Sequence, residues 1–184
     1  MNIFGSFFFA FLLVVRLAQM GQSGINLLSV LLAVQSGLAA FWMIFRRSSS
    51  GEAHWSVQLL AWFSAIVPLT MQTSDDAKLG WLSVPGLLMM LWAFWSLGSS
   101  FGVAPAARRL VTSGPYRFLR HPMYAGEILS LLGLCIGQPV LANWSILAVF
   151  LLSIYARIYR EETILKRYPM YAHFVKWRLL PGVW

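Results

Sequence analysis

Acidic residues are scarce in this chain: six Asp and Glu stand against 14 Lys and Arg in 184 residues, for a formal net charge of +8. Charged residues of both signs make up only 11%, against roughly 25% in an average soluble domain. A chain that exposes most of its surface to water is therefore excluded. The single cysteine, Cys135, lies within an apolar run, which excludes an intramolecular disulfide and a cysteine-based metal cage and reads as packing. The sequence also lacks a GxGxxG after a strand, a P-loop, a GxSxG elbow and an HExxH, and His54, His121 and His173 fall in separate segments without metal-ligand spacing. Hydrolysis by a triad or by zinc has no support. The start, Met1-Asn2-Ile3-Phe4, has no basic region and is followed by further apolar runs, so the first segment reads as a retained helix rather than a cleaved signal.

What is present is apolar length: 59% of residues are hydrophobic. A bilayer-spanning helix needs about 20 consecutive apolar residues. The runs 3–20, 25–45, 55–71 and 79–101 meet this, and the shorter runs 122–137 and 142–159 flank Gln138-Pro139 as a helical hairpin. The expected fold is all-α, a polytopic integral membrane bundle of about five to six transmembrane segments, closed by a C-terminal cytosolic interfacial helix. Residues 1–101 read as a four-helix scaffold and lipid pocket, and 102–184 as the catalytic and cofactor-binding region.

Positive charge orients the bundle, because cytoplasmic loops collect Lys and Arg. The Arg46-Arg47 loop, the loop with Arg108, Arg109, Arg117 and Arg120, and the tail from Arg157 to Arg178 hold 12 of the 14 basic residues. Six-helix parity puts all three on one side, predicting cytosolic termini and a cytosolic active site. Asp75, Asp76 and Lys78 fall on the other side, Arg16 snorkels from the first helix, and Trp55, Trp81 and Trp144 fit an aromatic belt. The basic residues flank spans instead of forming a soluble face, so anionic membrane lipids are expected as partners and nucleic acid is not. Ser48-Ser49-Ser50 reads as a loop without assignable chemistry.

Candidate chemistry concentrates in two cytosolic pieces, VTSGPYRFLRHPMYAGE at 111–127 and RIYREETILKRYPMYAHFVKWRLLP at 157–181. Ser113-Gly114-Pro115 predicts a tight turn, and Pro122 suits the first turn of a helix. That helix N-terminus, with Arg117 and Arg120, favours a carboxylate or phosphate. His121, Tyr124 and Glu127 recur every three residues and can share one face. A carboxylate inside an apolar span costs on the order of 2.5–3.5 kcal/mol and usually has a partner or a function. Glu127 is either a structural partner of Arg157 or Arg160, or a contact for a cationic ligand or a substrate proton. Glu162 with Lys166 and Arg157 with Glu161 have the spacing of ordinary i,i+4 ion pairs, worth about 0.2–0.5 kcal/mol each. Pro169, Tyr171, Phe174, Trp177 and Trp184 suggest an amphipathic lid on the membrane surface, with Lys176 and Arg178 toward headgroups. Arg178 is also suited to clamping a substrate carboxylate.

Together the two pieces resemble the isoprenylcysteine carboxyl methyltransferase family, which also includes phospholipid N-methyltransferases. The resemblance covers roughly 112–181 and rests on GPYRFLRHPMYAG at 114–126, then Glu161-Glu162, Leu165, Tyr168-Pro169, Tyr171 and Arg178-Leu179-Leu180-Pro181. It implies a membrane methyltransferase that uses S-adenosyl-L-methionine without a Rossmann domain and takes a lipophilic, prenylated or phospholipid substrate from the bilayer. By position, His121, Tyr124 and the backbone near Met123 and Ala125 would hold the cofactor, with Glu162 toward its polar groups and Glu161 in a lesser role. Tyr171 and Phe174 would cover it, and Arg178 would sit near the substrate. The family often has a proline before this arginine, where Trp177 stands here. A lipophilic acid or thiol-type acceptor, as in isoprenylcysteine carboxyl methylation, ranks ahead of a phospholipid amine, which would have to lose a proton and would give Glu127 a role as base. Two rival classes are a sterol-reductase-type enzyme binding NADPH and a non-catalytic membrane subunit or transporter.

Overall fold

The computed structural model describes residues 2–47, 53–72, 81–104, 106, 110–164 and 168–184. Among these residues it is helical, with no strand. Long apolar helices dominate: α1 (Asn2–Ser23), α2 (Leu27–Ile44), α3 (Trp55–Ile66), α4 (Val84–Leu97), α5 (Pro122–Gly137), α6 (Leu141–Ile164) and the short α7 (Tyr168–Phe174). Four segments are long and apolar enough to cross a membrane: Phe4–Gln22, Leu27–Ile44, Trp81–Ser100 and Leu141–Ile164. Trp55–Thr70 and Pro122–Gly137 are shorter apolar helices. The fold is that of a polytopic membrane helical bundle. The expected loop at Ser48-Ser49-Ser50, the acidic loop with Asp75, Asp76 and Lys78, Arg108, Arg109 and Lys166, the expected partner of Glu162, lie outside the described residues.

Local chemistry sets the helix ends. Asn26 caps α2 by accepting from the Ser29 amide while the Ser29 hydroxyl accepts from the Asn26 amide, a reciprocal capping box. The apolar run at 55–71 is not one α-helix. Pro68 falls where the α-helix gives way to a 3-10 turn at Val67–Thr70, because proline supplies no amide for the helical ladder. The run at 79–101 likewise ends as α-helix at Leu97, where Gly98 adopts φ +51°. Arg16 donates to Gln19 Oε1 (3.2 Å) further along α1.

The hairpin expected around Gln138-Pro139 is formed by α5 and α6. Its tip is tied down by Asn143, which has no exposed surface: its amide donates to the carbonyls of Gln72 and Gln138 (3.0 Å each), and its oxygen accepts from the Gln72 amide (2.9 Å). One apolar cluster joins α2, α3 and α4 through Met43, Ala61, Leu87, Met90 and Phe94. A second joins α5 and α6 through Leu131, Cys135, Leu147, Phe150 and Ile154, with Cys135 fully buried as packing. With 24 residues, α6 is about 36 Å long, more than the roughly 30 Å of hydrocarbon. Its last turns carry the acidic pair beyond the hairpin's apolar core.

Candidate active site

Where α5 begins, the chain makes a sharp approach through the 3-10 turn Gly114–Arg117. Gly114 has φ +61°, and a Cβ there would lie 2.2 Å from Ser96 Oγ, so the turn that seats this segment against α4 needs glycine. Three residues after this turn the chain pairs with its own tail: the Arg120 amide donates to the Trp177 carbonyl (2.9 Å) and the His121 amide to the Arg178 carbonyl (3.0 Å). The Arg120 guanidinium reinforces this seam, donating from Nε to Val175 O (2.6 Å) and from Nη2 to Ala172 O (2.9 Å). The tail is therefore docked against the start of α5.

A cavity opens between the end of α4, residues 101–104, 106, 110 and 111, the start of α5, the end of α6 and α7. Leu97, Phe101, Leu110 and Val111 give it an apolar side, while Arg120, His121, Tyr124, Glu161, Tyr168 and Tyr171 give it a polar one. His121, only 6% exposed, joins both members of the acidic pair: Nδ1 lies 3.7 Å from Glu161 Oε2 and Nε2 lies 3.3 Å from Glu162 Oε1. The Tyr124 hydroxyl donates to Glu161 Oε1, and its ring stacks on His121 at 5.7 Å. Tyr168 donates to Glu162 Oε1. Burial and that carboxylate push the Tyr168 phenol well above its ordinary range, so it remains a donor. Burial also raises Tyr171, whose hydroxyl donates to Tyr116 O (2.6 Å) and holds α7 against the 3-10 turn.

The sequence-predicted residues divide at this cavity. His121, Met123, Tyr124, Glu161 and Tyr171 line it. Ala125 is spent on helix formation, its amide donating to His121 O (3.1 Å). Glu162 is turned instead to Arg178, which grips it with Nε at 2.8 Å and Nη2 at 2.9 Å. That contact gives Arg178, expected near headgroups or a substrate carboxylate, a partner in the chain's own carboxylate. It also raises the guanidinium's affinity for its proton. Phe174 is 77% exposed and is absent from the lining, because α7 turns its Tyr168–Tyr171 face inward. Glu127 is likewise outside the lining, and among the described residues no ion pair within 4.0 Å joins it to Arg157, whose nearest acidic partner is Glu161 at 4.0 Å.

The lining residues that sequence reasoning missed include the aromatic Tyr116, Tyr168 and Phe101 and the apolar Leu97, Leu110 and Val111. Tyr116 and Tyr168 stand inside the recognised motifs and were legible as candidates. Phe101 looks like any other residue ending an apolar run and carries no local signal. The anion site expected at the start of α5 has a different occupant, since the chain's own Glu161 and Glu162 approach His121, and Arg120 Nη1 lies 3.8 Å from Glu162.

The phospholipid methyltransferase family matches residues 79–171, which is 93 of the chain's 184 residues and includes most of the cavity. The chain is 33% identical over 108 residues to the protein-S-isoprenylcysteine O-methyltransferase of Xenopus laevis, covering 46% of this chain but only 38% of the frog protein. It is 27% identical over 134 residues to the uncharacterized protein YpbQ of Bacillus subtilis (strain 168), covering 64% of this chain and 77% of that one. With its apolar helices and a match that spans the site, this integral membrane protein belongs to the phospholipid methyltransferase family.

Proposed function

We propose that the protein is a membrane methyltransferase that uses S-adenosyl-L-methionine to methylate a lipophilic acceptor at this cavity. One observation carries the reading: the Glu161 carboxylate, held by Tyr124 and beside His121, faces a pocket whose lining, apart from Ser100, Arg120 and His121, is aromatic or apolar. A carboxylate in such surroundings favours a cationic ligand far more than it would in water. The residues fit the cofactor's chemistry. The aromatic rings of Phe101, Tyr116 and Tyr168 offer surface for a purine, and Glu161 and the Tyr hydroxyls offer polar partners. When bound, the cofactor supplies a methyl group on a positively charged sulfur. The protein's part is positioning and exclusion of water, which supplies several kcal/mol, up to about 7–11 in ideal cases. Leu97, Phe101, Leu110 and Val111 exclude water, and His121 fixes both carboxylates at once. In this reading 1–101 remains the scaffold that shapes lipid access and 102–184 the catalytic region, with Leu97 and Phe101 carrying the scaffold into the pocket wall. The termini and the cavity face the cytosol.

For the acceptor, one arrangement favours a lipid amine over a prenylcysteine-type acid. A carboxylate acceptor needs an open cation. Arg178 already holds Glu162, and Arg120, the guanidinium in the lining among the described residues, spends Nε and Nη2 on two carbonyls. An ammonium acceptor must instead give up a proton, and Glu161 is the carboxylate in the lining able to take it. The base role expected of Glu127 passes to Glu161. Transfer of labelled methyl from S-adenosyl-L-methionine, offered phosphatidylethanolamine beside a farnesylcysteine analogue, tests this. The amine lipid is expected to carry the label, and label in the prenylcysteine acid alone would reverse the choice.

A further inference from the structure

We infer that Arg157 is a positioning residue, holding the pocket's polar wall in place from inside the bundle; this rests on the reading of the cavity as the reaction site. Arg157 is 4% exposed, lies on α6 and is not itself among the lining residues. Its contacts reach the lining from behind. Nη2 donates to the Val103 carbonyl (2.7 Å), and the lining residues Gly102 and Ala104 flank Val103. Its Cζ lies 4.9 Å from the centre of the Tyr124 ring, and Nη2 lies 4.0 Å from Glu161 Oε1. The remaining arm, Nη1, donates to Ser64 Oγ (2.7 Å) on α3, a fully buried serine on a helix that contributes nothing to the lining. One side chain thus joins the 101–104 wall, the Tyr124–Glu161 pair and the scaffold.

An apolar residue would serve packing alone at lower cost, because a buried guanidinium must repay several kcal/mol of desolvation. Here the repayment is incomplete, since Arg157 Nε is buried with no hydrogen-bond partner. The two Nη contacts go to different elements in one plane, a geometry that the single ammonium of lysine cannot reproduce. What the arrangement achieves is to fix two lining groups whose placement sets how well reactants align, and small displacements there cost rate steeply.

Two variants test it in detergent-solubilised full-length protein. Ser64→Ala removes the scaffold arm without changing charge, and Arg157→Lys keeps the charge but loses the fork. Hydrogen–deuterium exchange of the 101–104 amides should rise about tenfold in both, with α1 and α2 unchanged. In the same preparations kcat should fall about tenfold or more in Arg157→Lys, with KM for the acceptor nearly constant. Unchanged exchange at 101–104 in both variants would overturn the inference, as would a loss of activity that only follows a uniform rise in exchange across the molecule. Failure of the wild-type protein to transfer methyl would instead refute the reading of the cavity, while the exchange result would still judge Arg157.

Discussion

Glu161 and Glu162 are neighbours on one helix and share His121, yet their other partners differ. Glu161 takes Tyr124 and faces the cavity, whereas Glu162 takes Arg178 and Tyr168 and ties α6 to the tail. Successive helical residues point about 100° apart, so an acidic pair of this kind serves two purposes. The Glu162–Arg178 contact is charge-assisted and two-armed, and it should behave as a structural clamp. A double-mutant cycle with Glu162→Gln and Arg178→Gln, read by denaturant unfolding, should give a coupling of about 1–3 kcal/mol. Additive effects would mean that the clamp contributes nothing. Its partner Tyr168 adds a pH dependence. A phenol raised above its unfolded value contributes stability that is whole below about pH 10 and is lost as pH rises toward the folded value. The thermal midpoint of the wild type should therefore fall at strongly alkaline pH more steeply than that of Tyr168→Phe. Sequence alone singled out both carboxylates and put Glu162 toward the cofactor; in the fold Glu161 lines the cavity while Glu162 meets Arg178. Which of two adjacent helical residues faces a cavity depends on the rotation of α6, and that is set by packing between elements rather than by local sequence.

Between elements, α4 and α5 approach so closely that Gly86 and Gly126 have no room for a side chain. A Cβ on Gly126 would lie 2.7 Å from both Gly86 O and the Met90 amide nitrogen, and one on Gly86 would lie 2.2 Å from the Ser130 nitrogen. Ser83 adds a hydroxyl donor to Ser130 O at 2.8 Å. Small residues let helices pack at this distance where lipid offers no hydrophobic drive. Because the obstacle is backbone, no rotamer relieves it, and Gly126→Ala should lower stability by about 1–3 kcal/mol. The exposed Leu129→Ala should leave unfolding near wild type. Hydropathy located these helices well, since apolar length is a local property. It overran their ends at Pro68 and Gly98, where one residue's backbone chemistry outweighs the run around it. The α4–α5 seam was not legible at all, because a glycine in an apolar run looks the same whether it faces lipid or another helix.

For the whole molecule, Arg120, Arg178 and the cavity lie at one end of the hairpin, and Gln138 marks the other. On the proposed orientation, with termini and cavity in the cytosol, a Gln138→Cys variant in a Cys135→Ser background should react with an impermeant thiol reagent from the opposite side only. Reaction from the cytosolic side would invert the topology or stop the hairpin short. The most direct measurement of the central claim is calorimetric binding of S-adenosylhomocysteine to the folded, solubilised protein, with NADPH as control. The wild type should bind S-adenosylhomocysteine and not NADPH, Glu161→Gln and His121→Ala should weaken binding about tenfold or more, and Phe174→Ala should not. A folded protein that ignores S-adenosylhomocysteine, or that binds NADPH in its place, would contradict the account.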